Sequence, residues 1–290
     1  MSLTRREFLE SAALAAGGMV LAMNAGRGDA AGGRSGDPLR IAMCDWNLGK
    51  TCQVQALELA RSIGLDGVEA SVCFPGPGQH LRDPKVQREY LAAAKKYSIA
   101  IPSLALGILN GVPLASEPKA AIWLADAIEV ARNLGVKAML LAFFGRGELK
   151  IDDERAMTRL VDVLREAAPR AEKAGVILGL ENTLSAEENI LILQRVASPA
   201  VQVYYDPKNS ADRGRDVPKE IRMLGDRICQ VHVKNGNLLL SQPSNVDFAA
   251  CGRALREIGY KGWYVLETAS PKDLISDTRA NIAYVRKTFA

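Results

Sequence analysis

The chain has 290 residues, 48% of them apolar and 24% charged, with a net charge of +4. That is ordinary globular composition with enough apolar material for a sizeable core, which excludes a charge-rich disordered chain. It also offers no basic stripe interleaved with aromatics, so nucleic acid is not an expected partner, and no uninterrupted apolar run reaches 18 residues.

The first segment reads as an address rather than as fold. Thr4-Arg5-Arg6-Glu7-Phe8-Leu9 is a twin-arginine pattern, followed over 11–25 by a small-residue apolar run of only moderate hydrophobicity. Gly28-Asp29-Ala30 offers a small-x-small cleavage site. Residues 1–30 are therefore expected to be a twin-arginine signal peptide, read by the twin-arginine translocation machinery and leading to a periplasmic or exported protein. Only this segment would meet a membrane; a cytosolic amphipathic helix is the alternative. Residues 31–38 read as a flexible leader. The five cysteines are odd in number, scattered and without a C-x-x-C. They predict neither structural zinc nor a disulfide framework, although one pair can oxidise after export.

From Leu39 onward apolar runs alternate with helical periodicity. The predicted strands cover 39–46, 67–72, 99–106 and 138–144, then 176–181, 201–206, 228–235 and 262–267. Helical patterns cover 53–63, 85–97, 118–134, 154–174, 186–195, 217–224, 247–258 and 271–288. Pro169 predicts a kink or break in the longest of these. A Pro/Gly loop spans 73–84, and strand one is followed by Asn47-Leu48-Gly49-Lys50 rather than a phosphate-binding G-x-G-x-x-G. Eight strand-then-helix units in about 250 residues predict an α/β fold, a single-domain (β/α)8 TIM barrel over 39–290.

Four acid or imidazole side chains close successive apolar runs. Glu181 ends VILGLE, Asp206 ends VQVYYD, His232 lies in ICQVHVKN and Glu267 ends GWYVLE. They are 25, 26 and 35 residues apart (206−181, 232−206, 267−232), each about one strand–helix–strand unit. In a parallel barrel they share the carboxyl end, where active sites lie. Gathered round one axis, three carboxylates would repel one another and be costly to bury. A divalent cation removes both problems, and this mostly oxygen set suits Mn²⁺, Mg²⁺ or Co²⁺, with Zn²⁺ also admitted. Each residue has a plainer alternative: Asp206 as a helix cap before Pro207, Glu267 as partner of a surface lysine, His232 as a hydrogen-bonded core residue.

The motifs GVILGLENT (175–183), YYDPKNS (204–210), ICQVHVKN (228–235) and GYKGWYVLET (259–268), with GLDGVEAS (64–71), resemble the xylose isomerase-like superfamily of barrels. The resemblance covers the chain from about Leu39, in particular the sugar isomerase/epimerase family that includes ketose 3-epimerases. It implies one divalent metal, Mn²⁺ foremost, held by Glu181, Asp206, His232 and Glu267. It also implies Glu181 and Glu267 as the acid/base pair that removes and returns a proton beside a metal-bound carbonyl. Three features depart from the family pattern, one being Asn235 after His232-Val233-Lys234, where many relatives read His-x-Lys-Asp. Asn209 stands where the epimerases usually carry a histidine, and the arginine expected soon after the strand-seven histidine is absent around Asn237.

Further pocket candidates are Trp46 as an apolar platform, Glu69 as a group orienting a hydroxyl or a metal ligand, His80 in the loop over the barrel, Asn209, and Lys234 as a positive donor. Phe143 and Phe144 would wall the pocket or pack in the core. The sequence thus predicts a metal-dependent isomerase or epimerase of a sugar or keto-sugar derivative. A lyase or dehydratase on the same ligands is the enzyme alternative, and a non-catalytic periplasmic sugar-binding protein the alternative of another class. A DNA-repair endonuclease on this barrel would need several more histidines than the chain's two. A homo-oligomer is left open.

Overall fold

The computed structural model describes residues 39–73 and 80–290. The signal-peptide and leader readings for 1–38, and the middle of the 73–84 loop, lie outside the described residues. Eight strands form a closed, all-parallel barrel in sequence order. They are β1 (Ile41–Cys44), β2 (Gly67–Ser71), β3 (Ser103–Leu106), β4 (Ala138–Ala142), β5 (Ile177–Glu181), β6 (Val201–Tyr205), β7 (Ile228–Val233) and β8 (Tyr264–Leu266). The ring closes where Ile41, Ala42 and Met43 of β1 pair with Tyr264, Val265 and Leu266 of β8.

Around the ring run α1 (Gln55–Ile63), α2 (Pro84–Tyr97), α3 (Pro118–Leu134), α4 (Glu154–Ala174), α5 (Ala186–Val196), α6 (Pro207–Ala211), α7 (Val217–Leu224), α8 (Phe248–Glu257) and α9 (Leu274–Phe289). Their starts follow from local chemistry. Asp83, Asp153, Asp216, Asp247 and Asp273 each accept a backbone N–H of the first turn, and Ser185 forms a reciprocal capping box with Glu188. Gly64, Gly135 and Gly175 end α1, α3 and α4 in the left-handed conformation that costs a side-chain-bearing residue energy.

Two expectations are corrected. Of the kink or break expected at Pro169, the break is absent: α4 is a single element from Glu154 to Ala174. Pro169 and Arg165, the residue whose carbonyl loses its partner, both lie on the exposed face, where water meets the freed group. The third strand starts at Ser103 rather than at 99, because Pro102 has no N–H for the ladder. Ala100 keeps only an isolated bridge to Gly67.

Side chains alternate between two environments along every strand. One set packs between barrel and helices and forms the main core, with Met43, Val68, Leu104, Met139, Leu178, Val203, Val231 and Leu266 among its members. The other points into the barrel: Ala42, Cys44, Ala105, Leu140, Ala142, Tyr204 and Val265. Space inside is tight around Tyr204. A Cβ on Gly179 would lie 3.0 Å from Tyr204 Cβ and 2.8 Å from Cys229 Sγ. Because of the alternation, the residues two positions beyond this inner set lie at the open carboxyl end.

Candidate metal centre

Glu181 is the last residue of β5, Asp206 follows β6, His232 is the penultimate residue of β7, and Glu267 follows β8. The fold brings all four together, each offering a donor atom within 4.8 Å of the others. His232 is fully buried, with Nδ1 3.2 Å from Glu181 Oε1 and 3.6 Å from Glu267 Oε2. Asp206 divides its two oxygens. Oδ1 caps α6 by accepting the N–H of Lys208 at 2.7 Å and of Asn209 at 3.3 Å. Oδ2 is buried and accepts no hydrogen bond; Lys234 Nζ stands 2.9 Å from it as an ion-pair partner. The capping and ligand readings of Asp206 are thus compatible on one side chain.

Lys234 follows β7 on the same inward face as His232. Its ammonium also lies 2.7 Å from Glu267 Oε2 and 3.9 Å from Glu181 Oε1. A compact positive charge therefore already sits among the carboxylates. Such a ring of buried acids, balanced only in part by one ammonium and one imidazole, fits a divalent cation. The donor set of three carboxylates and one imidazole matches hard or borderline ions.

Burial pushes the Glu181 carboxyl up from the usual range, although His232 pulls against it. Burial would raise Glu267 too, but the charges of His232 and Lys234 outweigh it and hold that carboxyl low, helped by a hydrogen bond from Trp46. Burial would depress His232, yet the surrounding Glu181, Cys44 and Glu69 hold it well above the ordinary imidazole value. Lys234 is likewise held up by Asp206, Glu181 and Glu267 against its burial.

The remaining predicted site residues are placed as follows. Asn209, in the first turn of α6, donates from Nδ2 to Glu181 Oε1 at 3.1 Å. Trp46 lies beyond β1, its ring steeply inclined to that of His232 with centroids 6.3 Å apart. Lys234 Nζ is 6.0 Å from the Phe144 ring, whereas Phe143 is buried in the core. His80 is half-buried just before α2, with Nδ1 buried and without a partner. Glu69 is wholly buried and lies on the far side of His232, with Oε1 3.0 Å from Nε2.

Sequence reasoning did not single out the groups around Glu69. Ser103 and Tyr204 donate to its Oε2 at 2.6 and 2.7 Å, and Gln230 donates to both hydroxyls. Period-2 spacing was the available signal, since Tyr204 and Gln230 each stand two residues before a predicted ligand. Asp45 was also missed. It is buried beside β2, and accepts from Ser71 N, Ser71 Oγ and Cys52 N. Next to it, Cys52 and Cys73 form a disulfide that ties the β1–α1 connection to the end of β2.

Residues 57–288 match the family described as xylose isomerase-like TIM barrel. The chain is 29% identical over 201 residues to 2-epi-5-epi-valiolone 7-phosphate 2-epimerase of Actinoplanes sp., covering 68% of this chain and 73% of that one. It is 28% identical over 254 residues to an L-ribulose-5-phosphate 3-epimerase of Escherichia coli, covering 81% and 88%. Among solved structures, D-psicose 3-epimerase from Clostridium cellulolyticum H10 superposes with a TM-score of 0.72 at 18% identity, over 87% of this chain and 99% of that one. At that identity the likeness speaks for the fold alone.

Proposed function

The chain belongs to the xylose isomerase-like TIM barrel family, and we propose that within it the protein is a divalent-metal-dependent epimerase or isomerase of a sugar or keto-sugar derivative. The observation that carries this reading is the convergence of Glu181, Asp206, His232 and Glu267 at one end of the barrel. The sugar epimerases among the relatives support the substrate class. In this reading the four residues hold one ion, Mn²⁺ foremost, with Mg²⁺, Co²⁺ or Zn²⁺ as alternatives. When bound, such an ion supplies positive charge beside the ketose oxygens, which acidifies the adjoining C–H.

The chain's own residues do the rest. Glu181 and Glu267 are the proton carriers, one removing the proton beside the carbonyl and the other returning one to the opposite face. Without the ion, burial pushes the Glu181 carboxyl up, while His232 and Lys234 hold that of Glu267 low. Asn209 steadies Glu181 through Nδ2, and Lys234 and Trp46 steady Glu267. Burial of the cluster keeps bulk water from quenching the carbanion-like charge.

The twin-arginine pattern over residues 4–9 supports delivery of the folded protein to the periplasm by the twin-arginine machinery. The Cys52–Cys73 disulfide suits the same oxidising compartment. Phosphorylated sugars are scarce there, so the substrate in this reading is a free ketose or a keto-glycoside, unlike the phosphates named for the two sequence relatives.

A solvent-deuterium exchange screen tests the reading, using free ketoses, keto-glycosides and their phosphorylated counterparts with the metal-loaded protein. Metal-dependent exchange at the carbon beside the carbonyl, lost in Glu181→Gln and Glu267→Gln, is the expected result. Exchange accompanied by loss of a β-substituent would make the protein a lyase. Sugar binding without exchange or metal would make it a binding protein. Full exchange in both variants would remove the acid/base assignment.

A further inference from the structure

Below the metal-facing nitrogen of His232 lies a closed polar network contributed by five strands. Its members are Cys44 of β1, Glu69 of β2, Ser103 of β3, Tyr204 of β6, and Gln230 with His232 of β7. Glu69, Ser103 and His232 are fully buried, and Gln230 is 2% exposed. The layer is buried, so every short polar contact in it needs its own hydrogen.

The directions of those hydrogens follow from counting. Gln230 Nε2 lies 2.7 Å from Ser103 Oγ and 2.9 Å from Tyr204 OH. An amide nitrogen only donates, so its two hydrogens occupy acceptor positions on the two hydroxyls. Each hydroxyl has one hydrogen left, and both stand within 2.7 Å of Glu69 Oε2. Turning the amide over would send both hydroxyl hydrogens to Gln230. The contacts of 2.6 and 2.7 Å to Glu69 would then share at most the single proton of a neutral carboxyl. Glu69 is therefore an acceptor, and Oε2 is fully used. Oε1 faces the Cys44 thiol at 3.5 Å and His232 Nε2 at 3.0 Å. Cys44 Sγ lies 3.6 Å from Nε2 as well, so the weak thiol donor can serve either atom; an ionised Glu69 has no hydrogen of its own, and the 3.0 Å contact is then made by an Nε2–H.

We infer that Glu69 is a positioning residue that keeps the proton of His232 on Nε2, so that Nδ1 is the nitrogen presented to the metal. The inference rests on the metal-centre reading above. Carboxylates that hold the far nitrogen of a metal-bound histidine fix its tautomer and its ring orientation, and their loss typically weakens metal binding. Here the restraint is itself restrained: Ser103, Tyr204 and Gln230 prevent Glu69 from turning its oxygens.

The same layer has a rival occupant, since Cys44, Glu69 and His232 Nε2 also form a cluster of ligating atoms. Metal stoichiometry separates the two possibilities. The test is a competition titration of the full chain with a chelating dye and Zn²⁺, on wild type and Glu69→Gln, with folding followed by near-UV circular dichroism. Wild type taking up one equivalent and Glu69→Gln binding about 10–100-fold more weakly, while still folded, is the expected result. Folded Glu69→Gln with wild-type affinity, or two equivalents in wild type, would overturn the positioning role. Wild type that binds no ion would overturn the metal reading and this inference together.

A second measurement needs no variant at position 69. In ¹⁵N-labelled, zinc-loaded wild type, the chain's two imidazoles are distinguished by His80→Gln. His232 should show a protonated Nε2 and a metal-shifted Nδ1. The reverse pattern would overturn the assignment even if Glu69→Gln failed to fold.

Discussion

Replacing Lys234 by methionine should destabilise the metal-free protein and leave the metal-loaded protein almost untouched. The ammonium stands 2.9 Å from Asp206, 2.7 Å from Glu267 and 3.9 Å from Glu181. Without it, three carboxylates face one another with only His232 as counter-charge. Removing one partner from a buried charge cluster costs about 3–5 kcal/mol, and the residual exposure of Lys234 argues for the lower end. A loss of about 3 kcal/mol in a domain of this size lowers Tm by about 6–12 °C. A divalent ion supplies the missing charge, so a saturating ion should close most of the gap. The assay is thermal unfolding of both proteins by circular dichroism, in chelator and again in excess Mn²⁺. Equal melting points in chelator would show that Lys234 does not neutralise the cluster. A gap that persists unchanged in Mn²⁺ would show that no ion takes its place.

Other consequences concern the rim beside β1. Burial raises the Asp45 carboxyl from 3.8 to about 6, against the hydrogen bonds from Ser71 and Cys52. Its folded-state pKa is the higher one, so its stabilisation is complete below pH about 4 and is lost as pH rises through about 6. The shift corresponds to about 3 kcal/mol. Asp45→Asn, which does not titrate, should therefore gain about 3 kcal/mol on wild type between pH 4 and pH 7 in urea denaturation; a pH-independent difference would contradict this. Reducing the Cys52–Cys73 disulfide, which spans 21 residues of sequence, should cost about 3 kcal/mol. Melting curves with and without reductant would read that loss, and identical curves would show that the bridge restrains nothing.

What the sequence disclosed is uneven, and the reason is physical. Apolar runs and helical periodicity report burial directly, so the helices over 118–134, 154–174 and 217–224 were legible to the residue. Prolines were harder to read. Pro102 trims β3 because a ladder position needs its N–H, whereas Pro169 rides through α4 because its face is open to water. In the site, Glu181, Asp206, His232 and Glu267 stood out because an acid or imidazole ending an apolar strand is costly without a partner. The layer beneath them was not legible. Ser103, Tyr204 and Gln230 look like ordinary strand residues, and their meaning appears only when the barrel closes. Closure places Tyr204 against Glu69 across 135 residues of sequence and His232 against Glu69 across 163. The short helix α6 was also absent from the periodicity, since five residues are too few to show it.

The central claim is that Glu181, Asp206, His232 and Glu267 hold one divalent ion. Metal content measured by elemental analysis after loading and dialysis tests it most directly, on wild type beside Asp206→Ala, which removes a ligand that is not one of the two proton carriers. One equivalent in wild type and a loss of nearly all of it in folded Asp206→Ala is the expected result. Metal-free wild type, or a full equivalent retained by the variant, would contradict the claim.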